Sequence, residues 1–213
     1  MAAPLRDLDS VTRAFRQGAD PTAVVRGRGR YVDDMALPGM VFLDLVRSPW
    51  AHARIVRIDV HAALNMPGVL AVITGADLDR LGLATMPTLM DDQQMVLPLD
   101  TVQYAGQEVA AVVALDRYVA VDAAAAIYVE YEPLPAVVDP GEALRPGAPL
   151  VRPDRNQTSN LMWHWEVGDR VATEQAMDGA DVVVTQEMYL PRLHSSAIET
   201  CGCVARWMRP SGS

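Results

Sequence analysis

The chain reads as a mixed fold of strands and helices, α+β or α/β, built in two parts. Three observations predict this. Apolar and β-branched runs alternate with short helical patterns over the first two thirds, a cluster of prolines and glycines then interrupts the pattern, and a second set of strand-like segments follows. With 213 residues and 50% hydrophobic content, there is enough material to bury a core as one large or two small domains.

Met40 to Arg47 and Arg54 to Val60 have strand composition, separated by the turn at Ser48-Pro49. Pro67-Gly68 forms a turn before a strand over Val69 to Thr74, and Asp77 to Leu83 reads as a short helix. After a Met-rich loop through Met86, Met90 and Met95, Glu108 to Leu115 is apolar enough for a buried strand. Asp116 stands where an N-cap belongs, ahead of the Ala-rich helix Arg117 to Ala126, because its carboxylate can accept from the amides of a first turn. A strand over Ile127 to Tyr131 follows, stopped by Pro133. Asp139 to Asn160 holds Pro140, Gly141, Pro146, Gly147, Pro149 and Pro153 and reads as a linker at a domain boundary. Thr173 to Asp178 is a helix candidate, and Asp181 to Leu190 and His194 to Met208 are strand candidates around Pro191. Such a C-terminal hairpin leaves paired edges uncovered, so it reads as the beginning of a domain.

Composition excludes several classes of function. A net charge of -9 argues against nucleic acid as a partner, since phosphate binding draws on excess positive charge. All 18 basic residues are Arg, which removes Schiff-base and Walker-type lysines. No apolar run approaches the roughly 20 residues of a membrane span, and Met1 to Gln17 lacks a signal-peptide core, so a soluble cytoplasmic protein is expected. Cys201 and Cys203 are two apart in a strand-like segment, with Cα atoms roughly 6.5 Å apart and thiols on one face, a poor disulfide geometry; they read as reduced packing residues. The sequon Asn156-Gln157-Thr158 has no secretory context.

The residues that carry chemistry are scattered. Gly27-Arg28-Gly29 begins a dinucleotide-type pattern, but Val32 occupies the third glycine position, so a turn with solvated or interface arginines is the better account. His52 and His194 each have an Arg nearby, yet neither they nor His61 and His164 have further ligands at metal spacing, which points to structural hydrogen bonding. Glu199, between Ile198 and Thr200, reads as a half-buried carboxylate suited to general-base work, without an identifiable partner.

Taken together, several segments form one pattern. Gly27-Arg28-Gly29-Arg30-Tyr31-Val32-Asp33-Asp34, Leu37-Pro38-Gly39-Met40 and Val46-Arg47-Ser48-Pro49-Trp50-Ala51-His52-Ala53-Arg54-Ile55 come first. Pro67-Gly68-Val69, Thr74-Gly75-Ala76-Asp77-Leu78, Gly106-Gln107-Glu108-Val109-Ala110, Asp116-Arg117-Tyr118-Val119-Ala120 and Val129-Glu130-Tyr131-Glu132-Pro133-Leu134-Pro135-Ala136-Val137-Val138-Asp139-Pro140 follow. In this order they resemble the N-terminal part of the molybdenum-binding large subunit of the xanthine oxidase and aldehyde oxidase family. Met86-Pro87-Thr88-Leu89, Trp165-Glu166-Val167-Gly168-Asp169 and His194-Ser195-Ser196-Ala197-Ile198-Glu199-Thr200-Cys201 resemble the carbon monoxide dehydrogenase branch more than the xanthine dehydrogenases or aldehyde oxidases. Prolines are expected in that branch around Ser195 and Ala197, where this chain departs.

The resemblance implies an α+β fold with an N-terminal extension (1–23), an α/β-hammerhead domain (24–139), a linker (140–160) and the beginning of a molybdenum-cofactor-binding domain (161–213), truncated. It implies molybdopterin cytosine dinucleotide in the complete subunit, with molybdenum and, in the carbon monoxide branch, copper. FAD and iron–sulfur clusters are implied on partner subunits of a heterotrimeric unit that dimerises. The implied reaction is oxidation of carbon monoxide with water to carbon dioxide. The family's Gly-rich segment, active-site cysteine loop and late glutamate base are expected beyond Ser213, so no residue here is assigned a catalytic, cofactor-binding or metal-ligating role. The expected function is that of a fragment or split chain, inactive alone and completed by a separate chain. Alternatives are a purine, aldehyde or N-heterocycle substrate, a non-catalytic hammerhead module docking to flavin and iron–sulfur partners, and a gene remnant.

Overall fold

The computed structural model describes residues 22, 25–87, 93–153 and 158–207. They divide into two compact units, one spanning Gly39–Asp181 and one made of the described parts of Met1–Pro38 and Val182–Ser213. In the Gly39–Asp181 unit the elements run β1 (Phe42–Arg47), β2 (Ala53–Asp59), α1 (His61–Leu64), β3 (Val69–Thr74), α2 (Gly75–Arg80), β4 (Thr85–Pro87), β5 (Gln93–Met95), β6 (Thr101–Val102), β7 (Glu108–Ala114), α3 (Arg117–Ala125), β8 (Tyr128–Pro133), α4 (Pro140–Ala143) and α5 (Arg170–Asp178). The other unit holds a 3₁₀ turn at Val32–Asp34.

Two three-stranded sheets, β1-β7-β3 and β6-β2-β8, and the β4-β5 pair are all antiparallel. Strand β7 is central because, after Glu108, its run of Val and Ala carries no polar side chain: Val109, Ala110, Ala111, Val112 and Ala114 are all buried. Its alternation sends side chains to opposite faces. Ala110 and Val112 join Ala63, Ala123, Ala124 and Ile127 in one core cluster, while Val109 joins Ala53 and Val102 in another. Val46 and Val129 pack against both clusters and so tie the two sheets together. Each fully buried Val contributes on the order of 1.5–3 kcal/mol.

Helix α3 lies on β1 and β7 through Ala120, Ala123 and Ala124, whose small side chains allow close approach to the sheet. Asp116 caps it as the sequence predicts, its Oδ1 accepting from the amides of Tyr118 at 2.8 Å and Val119 at 3.3 Å. At α2 the Asp77 carboxylate reaches back to accept from the Thr74 amide (2.9 Å) and hydroxyl (2.8 Å), and Arg80 donates to its other oxygen at 2.9 Å. These bonds hold the Asp77 carboxyl below the ordinary aspartate range, the Thr74 hydroxyl contributing most, with partial burial working against it.

Several elements differ from the sequence reading. The Met-rich loop carries the β4-β5 ladder, which pairs Thr85 with Met95 and Pro87 with Gln93; Met90 lies outside the described residues. The proline-rich stretch contains helix α4, because Pro140 sits in its first turn, where no N–H is needed, and Asp139 accepts from Glu142 N at 2.9 Å. Helix α5 starts at Arg170, capped by Asp169 accepting from Ala172 N at 2.9 Å. The strands expected over Asp181 to Leu190 and His194 to Met208 are absent: no residue of 181–207 joins a ladder. Strand composition makes pairing possible, but a ladder also needs a neighbour to hydrogen-bond, and none is present among the described residues.

Gly75 opens α2 where a Cβ would stand 2.2 Å from the Pro98 carbonyl oxygen. Gly75→Ala is therefore expected to destabilise the unit by about 1–3 kcal/mol in urea unfolding, despite the higher helix propensity of Ala. Asp77→Asn should cost about 1 kcal/mol at neutral pH. Because the folded-state pKa is lowered, Asp77 stabilises above its unfolded pKa, and the difference from wild type should vanish as pH falls through the folded value.

Candidate functional site

The Ser48-Pro49-Trp50-Ala51-His52 and Gly106-Gln107-Glu108 motifs meet in one junction. Ser48 N donates to the Gln107 carbonyl at 2.8 Å, and Gly106 N donates to the Ser48 carbonyl at 2.8 Å. Gly106 takes φ +87°, which a side chain would strain. The Gln107 side-chain oxygen accepts from Gln103 N at 2.6 Å, and Arg47 donates to Glu108 at 2.5 Å and to the Gly106 carbonyl at 2.9 Å. Beside this junction is a cleft of about 450 Å³, lined by Gln94, Met95, Asp100, Tyr104, Gln107 and Arg152 among others. Arg152 donates to the Gln93 carbonyl at 2.9 Å. Burial raises the Tyr104 pKa above the ordinary tyrosine value, and the charge of Glu108 adds to the rise. The cleft offers hydrogen-bonding groups, but its lining contains no His or Cys to serve as nucleophile and base.

The residues singled out in the sequence each have their own surroundings. Gly27 takes φ +67° in a turn that leads to the Val32–Asp34 3₁₀ turn and not to the α-helix a dinucleotide fingerprint requires. His52 Nδ1–H donates to the Pro135 carbonyl at 2.6 Å, while Nε2 is buried without a partner among the described residues. His52 thus pins the chain leaving β8, together with Leu134 N donating to the His52 carbonyl at 2.9 Å.

His194 Nδ1 accepts from Ser196 N at 3.0 Å in a local turn where Ser196 takes φ +44°. His61 lies on α1, and exposed His164 Nε2 lies 3.6 Å from Glu166. Glu199 is exposed instead of half-buried, and its Oε1 accepts from Val32 N at 3.0 Å. Cys201 and Cys203 are exposed free thiols, so the packing role expected for them is not found. Among the described residues no three His, Cys, Asp or Glu side chains are grouped to hold a metal. The described side chains therefore do not assemble a His, Cys or carboxylate ligand set for a metal ion.

Sequence reasoning missed Tyr131, whose hydroxyl is buried without a partner among the described residues. Burial pushes its pKa up; nearby Ser48 tempers the rise, but the Ser48 hydroxyl is already engaged with Trp50 N and O at 3.0 and 3.1 Å. Only the pairing of Tyr131 with Ile55 places it in the second core cluster, and no local signal marks that.

Fold and site together define a mixed α/β scaffold whose motifs serve to join segments. Residues 26–135 match the family model for the aldehyde oxidase and xanthine dehydrogenase a/b hammerhead domain, and residues 152–213 match the molybdopterin cofactor-binding domain. The chain belongs to the aldehyde oxidase and xanthine dehydrogenase family. It is 45% identical to the carbon monoxide dehydrogenase large chain of Hydrogenophaga pseudoflava, over 96% of this chain and 28% of that one. It is 46% identical to the corresponding chain of Afipia carboxidovorans, over 89% of this chain and 25% of that one. A crystal structure of Cu,Mo-CO dehydrogenase in the carbon monoxide reduced state superposes with a TM-score of 0.69 at 46% identity, covering 77% of this chain and 22% of that one. The chain spans about a quarter of the length of these curated relatives. No helix among the described residues is long and apolar enough to cross a membrane.

Tyr131→Phe removes a buried hydroxyl that has no hydrogen-bond partner among the described residues. Its stability at pH 7 is expected to equal or exceed wild type by up to about 1 kcal/mol in urea unfolding. The raised folded-state pKa means that wild type loses stability as pH rises past about 10, so the advantage of the variant should grow there.

Proposed function

We propose that this chain supplies the hammerhead domain and the first part of the cofactor-binding domain of a molybdenum hydroxylase large subunit of the carbon monoxide dehydrogenase type. The supporting observation is the match over 26–135 and 152–213 combined with identity near 45% to two carbon monoxide dehydrogenase large chains. The proposed domain limits are an extension at 1–23, the hammerhead at 24–139, a linker at 140–160 and the cofactor-domain portion at 161–213. The complete subunit would bind molybdopterin cytosine dinucleotide with molybdenum and copper, and the reaction would convert carbon monoxide and water to carbon dioxide, two protons and two electrons. Iron–sulfur and flavin subunits would receive the electrons in a dimerised cytoplasmic heterotrimer.

The role of this chain's own residues is scaffolding: β7 and its two core clusters hold the Ser48–Gly106 junction and the cleft beside it. Chemistry on the cofactor belongs to the cofactor-binding groups of the assembled enzyme.

Affinity purification of the tagged chain from its native cells tests the proposal. Molybdenum, flavin and iron–sulfur clusters should co-purify, and the complex should oxidise carbon monoxide. Recovery of flavin and iron–sulfur partners without molybdenum or turnover would favour a non-catalytic docking module. Turnover of a purine, aldehyde or N-heterocycle in place of carbon monoxide would overturn the substrate assignment alone.

A further inference from the structure

The 3.0 Å hydrogen bond from Val32 N to Glu199 Oε1 joins residues 167 positions apart, both within the smaller unit. Each end lies in a segment that the sequence marks as distinctive, Tyr31-Val32-Asp33-Asp34 and Glu199-Thr200-Cys201. The first falls in the hammerhead match and the second in the cofactor-domain match. Neither segment belongs to a ladder, so backbone pairing does not hold them together. The turn carries its own internal bonds, with Tyr31 N donating to Asp34 at 3.0 Å and Asp34 N to the Tyr31 carbonyl at 3.0 Å. These leave the Val32 amide directed at Glu199. A Cβ added at Gly202, three residues beyond Glu199, would stand 3.6 Å from a Val32 methyl, so the two segments stay close past the carboxylate.

We propose that Glu199 is an interdomain clasp: its carboxylate fixes the start of the hammerhead sequence onto the opening segment of the cofactor domain. A carboxylate suits the task because a charged acceptor makes a stronger bond to an amide than a neutral one and reaches it across a side chain's length. The clasp is independent of the reaction proposed above, and it replaces the general-base role that the apolar neighbours of Glu199 suggest.

Amide hydrogen exchange in the full 213-residue chain tests it, with the Val112 amide in β7 as a reference for intact folding. In wild type, Val32 should exchange more slowly than an unbonded amide. Glu199→Ala should speed exchange at Val32 by about tenfold or more while leaving Val112 unchanged. Glu199→Gln, which keeps an acceptor oxygen at the same reach, should retain most of the protection, and Glu199→Asp, one methylene shorter, should lose it. Unchanged exchange at Val32 in Glu199→Ala would overturn the proposal. If that variant unfolds, equal Val32 exchange in the Gln and Asp variants would overturn it instead.

Discussion

Strand β7 has a hydrogen-bonded neighbour on each side and apolar cover on both faces. Val112 pairs with Asp44 of β1 and Val72 of β3, and successive side chains alternate between two core clusters. A polar group at Val109, Ala110, Val112 or Ala114, all buried, would be stranded away from water, whereas Glu108 at the start of the strand is partly exposed and bonded to Arg47. The Ala face of α3 and the contacts of Val46 and Val129 are set by this strand. So is the junction at its start, where Gly106 and Gln107 bond to Ser48.

That junction explains why the most distinctive stretches of the hammerhead sequence carry so little chemistry. Ser48, His52, Gly106 and Gln107 spend their polar groups on backbone partners, which are fixed donors and acceptors that must be satisfied wherever water is excluded. His52 Nε2 and the Tyr131 hydroxyl are buried departures from this rule. The cleft beside the junction is lined by hydrogen-bonding groups such as Gln94, Asp100, Tyr104 and Gln107.

Membership of the aldehyde oxidase and xanthine dehydrogenase family accords with this division of labour. In a metalloenzyme the protein contributes orientation and electrostatics while the cofactor performs the redox step, so a scaffold portion need not contain a ligand cluster. Glu199 illustrates the distinction. An isolated carboxylate amid apolar neighbours suggests a perturbed acid, whereas its partner amide makes it a structural acceptor.

The sequence by itself determined some local elements of the larger unit, β3 and the capped start of α3 among them, and the family. Strand β3 has the limits its composition and the preceding Pro67-Gly68 turn predict, and Asp116 caps α3, because turns, caps and apolar runs act over a few residues. The resemblance motifs were likewise readable, since they are ordered strings. Tertiary structure decided which strands pair, that β1 and β2 enter different sheets, and that 181–207 forms no ladder among the described residues. It also decided that Glu199 is exposed and bonded to Val32, and that Cys201 and Cys203 are not packed. Each of these depends on a partner far away in the chain, and periodicity records a residue's preference for a surface without naming what will cover it.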